Sequence, residues 1–163
     1  MTIATATAQP PVLLSFRDVL RITVMRRVWY AQVVSLFGDF LARVDEIIDW
    51  ARGQAVDDEL RRQIVRRYSD VITGSRAAEL MQFIQGNQSA IRDLKHSGEL
   101  FARFRTLSRL LTDPNAALTT QLKSGMALGM LHIGVFGPIE IDATPQQRQA
   151  AALEVALELI TNP

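Results

Sequence analysis

The residue pattern predicts an all-α fold: a helical bundle that completes itself by pairing with a second copy. Three observations carry this. No segment sustains the period-two alternation of a half-buried strand. Gly53, Gly74, Gly98, Pro114 and Gly137-Pro138 fall between the periodic segments and punctuate them. From Ala116 onward the chain holds more apolar surface than one small domain can use. Helices are expected at about 15–23, 27–52, 57–73, 75–86, 88–95, 97–112, 115–136 and 145–161.

Taken in order, Met1 to Pro11 are small and Thr/Ala-rich and end in Pro10-Pro11, a composition without a helix or strand signal. The long segment 27–52 stops at Gly53, after Trp50-Ala51-Arg52. The next helix opens on Asp57-Asp58-Glu59, acids favoured by the positive end of a helix dipole. Its apolar stripe is Leu60, Ile64, Tyr68 and Val71, flanked by Arg61, Arg62, Arg66 and Arg67 as a solvated basic face. Gly74 ends it, and Gly98 marks the start of 97–112. Asp113-Pro114 introduces 115–136, which Gly137-Pro138 ends. Thr144, Pro145 and Gln147 have the N-cap, first-turn and capping-box spacing that opens 145–161.

The last two helices carry the excess apolar surface. Between Ser124 and Phe136 the one strongly polar side chain is His132, so this stretch needs cover nearly all round. In the final helix Leu153, Ala156, Leu157 and Ile160 make one stripe, and Ala152, Val155, Ala156 and Leu159 a second beside it. One side packs on the chain's own core, and a twofold mate is the simplest cover for the other. Gly125 and Gly129 bare one face for close backbone approach, either within the fold or at a dimer seam. The expected homodimer interface comprises Leu122, Gly125, Gly129, Ile133, Phe136, Leu153, Ala156, Leu157 and Ile160.

Composition removes several function classes. The chain has 163 residues, a formal charge of +1 and no cysteine, which fits one reducing, cytoplasmic domain with no global attraction to nucleic acid. No basic lead with an apolar run begins the chain, so no secretory signal is expected. The apolar stretch 28–42 is broken by Gln32, Ser35, Gly38 and Asp39 and falls short of the ~20 residues that span a bilayer. His132 has no histidine or carboxylate three or four residues away, His96 has Asp93 and Glu99 nearby but sits at an expected helix end, and there is no phosphate loop or nucleophile elbow. No metal, cofactor or enzymatic activity is expected. His96, before Ser97-Gly98, suits capping of helix-end carbonyls.

A set of aromatic, aliphatic and Met residues on the middle and later helices fits either a filled core or an adaptable pocket: Tyr68, Met81, Phe83, Ile84, Phe101, Phe104, Leu107, Met126 and Met130. His132 reads either as a hydrogen-bonded core residue or as the polar contact for a mainly apolar ligand.

From about Phe40 onward the chain resembles the C-terminal regulatory domain of TetR-type transcriptional repressors. The likeness rests on Asp39-Phe40-Leu41-Ala42-Arg43-Val44-Asp45, Arg66-Arg67-Tyr68-Ser69-Asp70-Val71, Glu79-Leu80-Met81, Gly86-Asn87-Gln88 and Ile91-Arg92-Asp93-Leu94. It is strongest over Gln121 to Phe136 and continues through Asp142-Ala143-Thr144-Pro145 and Ala150 to Leu157. The resemblance implies that residues 39–163 form a regulatory and dimerisation domain. Its last two helices would build a four-helix bundle with their mate, and its middle helices would enclose a pocket for a small apolar effector. The residues before Leu41 carry no recognisable helix-turn-helix, so operator DNA is not an expected partner. Within the atypical N-terminal segment 1–38, Phe16 to Asp39 instead resembles the opening of a major facilitator superfamily transporter, but Arg43, Asp45, Glu46 and Asp49 arrive where the membrane helix would continue. The alternative is a protein- or membrane-interaction module, with Arg17, Arg21, Arg26 and Arg27 toward lipid headgroups and Trp29-Tyr30 at the boundary.

Overall fold

The computed structural model describes residues 23–74, 77, 79–80, 97–137 and 141–161. Among them it has five helices and no strand: α1 (Thr23–Arg52), α2 (Asp58–Thr73), α3 (Ser97–Leu110), α4 (Leu118–Phe136) and α5 (Pro145–Thr161). The chain divides into two compact units, 1–34 and 35–163, with the boundary inside α1. Among the described residues, no helix is long and apolar enough to cross a membrane. The expected helices 75–86 and 88–95 lie outside the described residues, except that Ala77, Glu79 and Leu80 are helical.

In the larger unit, α1 buries Leu36, Phe37, Phe40, Leu41, Val44, Ile47, Ile48 and Ala51, one continuous stripe at three- and four-residue spacing. The helix α2 buries Leu60, Ile64, Val65, Tyr68 and Ile72 and packs against α5 and α4. This corrects the expected stripe. Strict four-residue steps from Leu60 lead to Ile72, leaving Val71 half-buried, and Val65 widens the buried face. Three of the four arginines beside it are spent locally. Arg61 and Arg62 pair with Asp58 and Glu59 one turn back, and Arg67 stacks 4.1 Å from the Trp50 ring centroid.

Helix ends follow side-chain chemistry. The Asp57 carboxylate accepts the Leu60 N–H at 2.7 Å and caps α2. In α5 the capping box closes in both directions: Gln147 N–H donates to Thr144 Oγ1 at 3.2 Å, and Thr144 N–H donates to Gln147 Oε1 at 2.8 Å. Two boundaries differ from expectation. The expected break at 24–26 is absent, since α1 is continuous from Thr23. Helix α4 begins at Leu118 rather than 115, because Asp113 Oδ1 captures the Asn115 N–H in a local turn and Gln121 Nε2 bonds the carbonyls of Pro114 and Ala116.

The tightest helix pair is α4 with α5, and one glycine explains it. A Cβ at Gly134 would overlap the Ala152 methyl and lie 3.1 Å from the Arg148 carbonyl oxygen. Among the described residues, Gly125 and Gly129 have nothing within 4 Å of a Cβ position, so neither supplies close approach to another described element. Ala152, Ala156 and Ile160 of α5 are buried in this core. Ala156 and Ile160, expected at a dimer seam, are therefore already covered by their own chain.

Candidate functional site

The residues with most chemical content meet where α2, α3 and α4 converge. Tyr68 comes from the buried stripe of α2, Phe101 and Phe104 from α3, and Gly129 and His132 from α4. Together they line a cavity of about 360 Å³, at the lower end of the roughly 300–1,000 Å³ range of small-molecule sites. The missing side chain at Gly129 leaves that wall open. Phe101, two-thirds exposed at 67%, stands at the edge, whereas Tyr68 at 1% forms the buried end.

One hydrogen bond organises the site. Tyr68 Oη and His132 Nε2 are 2.7 Å apart, across 64 positions of sequence. Rings surround the imidazole on three sides: Tyr68 at 5.7 Å between centroids, Phe104 at 6.0 Å nearly edge-on, and Phe136 at 6.0 Å. Burial acts on both titratable groups in the direction that favours neutrality. It holds the His132 pKa below its ordinary value and pushes the Tyr68 phenol well above its own. At neutral pH the site is thus an uncharged, aromatic-walled pocket with one polar pair.

Of the residues proposed for a pocket from sequence, four meet here: Tyr68, Phe101, Phe104 and His132. Leu107 is fully buried in the core. Met126 is 57% exposed on the outer face of α4. Met130 instead lines a second, apolar groove of about 240 Å³ between α4 and α5, with Ile133, Gly134, Ile141, Ala151 and Val155 among its walls. Met81, Phe83, Ile84 and His96 lie outside the described residues. Gly129 was expected at an interface, and its role as a cavity wall gives no signal in sequence.

The residues expected at a seam also separate. Leu122 is 58% exposed and Ile133 is exposed, while Gly125 and Gly129 stand open. Leu153 and Leu157 are half-buried, and Phe136 packs against His132. Leu118, absent from the sequence-based set, joins Leu122, Met126 and Ile133 in one exposed apolar stripe along α4. That stripe meets the α4–α5 groove at Ile133.

Two links tie the site to neighbouring elements. Arg103, between Phe101 and Phe104 on α3, donates from Nε and Nη2 to both carboxylate oxygens of Asp45 on α1, at 2.9 and 2.8 Å. Buried Thr112 donates to Ser124 Oγ, joining the turn after α3 to α4. Among the described residues there is no cluster of metal-ligating side chains. The chain matches no model of a known protein family and no curated protein.

Proposed function

We propose that this chain is a helical module that binds a small apolar effector and self-associates, in the manner of the regulatory domain of TetR-type repressors, without reading operator DNA itself. The observation that carries the reading is the aromatic-walled cavity at Tyr68, Phe101, Phe104, Gly129 and His132. The cleft opens to solvent beside the exposed Phe101, so a small molecule has a path to its buried end at Tyr68. The exposed stripe Leu118, Leu122, Met126 and Ile133 supports the second half of the reading, since a second copy related by a twofold axis covers such a face with its own equivalent. Coupling between the two follows from α4, which carries both Gly129 and His132 of the cavity and the exposed stripe, so an effector that shifts α4 also moves the stripe.

The test is a thermal-shift screen with small apolar compounds on the wild type and on Gly129→Leu, whose added side chain occupies the cavity. Compounds should raise the wild-type Tm and lose that effect in the variant. An effect equal in both proteins, or no stabilising compound at all, would contradict the reading.

A specific observation favours one alternative. In the part of α1 belonging to the smaller unit, Val24, Met25, Val28 and Val34 are exposed together with Arg27, a composition that suits an interfacial helix. Co-sedimentation with anionic vesicles that is lost on changing Val24 and Val28 to Glu would favour that membrane-interaction reading instead.

A further inference from the structure

We infer that the cavity selects small, neutral, apolar molecules carrying a single hydrogen-bond acceptor such as a carbonyl oxygen, with His132 Nδ1–H as the donor and Tyr68 as the group that holds the imidazole in that tautomer. This rests on the effector-binding reading above and gives it a ligand class.

Tyr68 is 1% exposed and its Oη has one hydrogen-bond partner among the described residues, His132 Nε2 at 2.7 Å. Two proton arrangements satisfy that distance. If Nε2–H donated to Oη, the phenol proton would be left buried without an acceptor, and Nδ1 would carry a lone pair with no donor among the described residues. If Oη–H donates to Nε2, the buried phenol is satisfied, and the remaining ring proton sits on Nδ1. The second arrangement leaves fewer buried polar atoms unmade and is the one the fold favours. Nδ1 makes no hydrogen bond among the described residues, so its N–H is the polar function the pair can offer a ligand.

The rest of the lining sets what that ligand can be. Among the described residues the walls are Tyr68, Phe101, Phe104, Gly129 and His132, with no carboxylate, ammonium or guanidinium. A cationic ligand finds no counter-charge among these described residues, and a carboxylate would be desolvated beside an imidazole that burial keeps neutral. A hydrocarbon fits the rings but strips water from Nδ1–H without replacing it. A volume of about 360 Å³ suits a one- or two-ring molecule.

The test is calorimetric titration of the full chain with 1-tetralone, its hydrocarbon parent tetralin, and 1-naphthoate. The wild type should bind 1-tetralone about ten-fold tighter than tetralin, the equivalent of one hydrogen bond to a buried donor, and 1-naphthoate more weakly than 1-tetralone. His132→Phe should bind the ketone and the hydrocarbon within about two-fold of each other. Tyr68→Phe keeps the ring volume and removes the tautomer lock, so it should cut the ketone preference at least about three-fold, and it serves if the His132 variant does not fold. Equal wild-type affinity for tetralin and 1-tetralone, or tighter binding of 1-naphthoate, would overturn the inference while leaving the effector-binding reading standing. No binding of any of the three would overturn both.

Discussion

Tyr68 and His132 show how a polar pair survives inside an apolar wall. Each would be costly alone, and together each satisfies the other at 2.7 Å. Tyr68→Phe strands Nε2 in the aromatic cage and should lower the unfolding free energy by about 1–3 kcal/mol, measured by urea denaturation. The pair also predicts a pH dependence of definite sign. Burial holds His132 below its ordinary pKa, so as pH falls the unfolded chain takes up this proton before the folded one does. The stability associated with a neutral imidazole is complete above about pH 6.5 and is lost as the pH drops below it. The urea midpoint should therefore fall between about pH 7.5 and 5.5 in the wild type, and fall less in His132→Phe. His96 is common to both proteins and cancels in the comparison. Identical slopes would mean His132 titrates normally. Both residues stand out in sequence, Tyr68 on an apolar stripe and His132 as the lone polar group of its run. Their contact does not, because a separation of 64 positions leaves no periodic trace.

Among the elements, the glycines give the clearest separation of local from tertiary effects. Gly38 lies in α1 with nothing within 4 Å of a Cβ, so Gly38→Ala should stabilise by about 0.5–1 kcal/mol through helix propensity alone. Gly134 lies in α4 where a Cβ would meet Ala152, so Gly134→Ala should destabilise by about 1–3 kcal/mol despite the same propensity gain. Opposite signs in a denaturation assay are the expected outcome, and a stabilising Gly134→Ala would show that α4 and α5 pack less closely than described. Sequence spacing points to Gly125 and Gly129 as the close-approach pair, and the structure uses Gly134. A four-residue spacing marks a helix face without saying what stands opposite it. Cap chemistry is legible for the contrary reason. Thr144 and Gln147 act within one turn, and every partner needed to read them is local. The Asp45–Arg103 pair between α1 and α3 belongs with the illegible features. Both side chains are partly exposed, so a double-mutant cycle should return a coupling of only about 0.5–1 kcal/mol.

For the whole molecule, the question raised by the apolar content of the last two helices has a divided answer. The α5 residues Ala156 and Ile160 are consumed by the chain's own core, which hydrophobicity alone could not distinguish from an outward face. In α4 the excess remains on the surface, as Leu118, Leu122, Met126 and Ile133 beside the open Gly125 and Gly129. Helical class was legible because periodicity and cap residues are local signals. Which of two adjacent stripes turns inward depends on the neighbouring helix, and that information is tertiary. A module that couples an effector cavity to self-association requires the α4 stripe to be a seam. The most direct measurement is the solution mass by light scattering of the wild type and of Met126→Glu, which places a charge in the stripe away from the cavity lining. The account predicts about 36 kDa for the wild type, twice the 18.2 kDa chain, falling to the single-chain mass in the variant. A wild type that runs at the single-chain mass, or a Met126→Glu protein that remains at twice that mass, would contradict it.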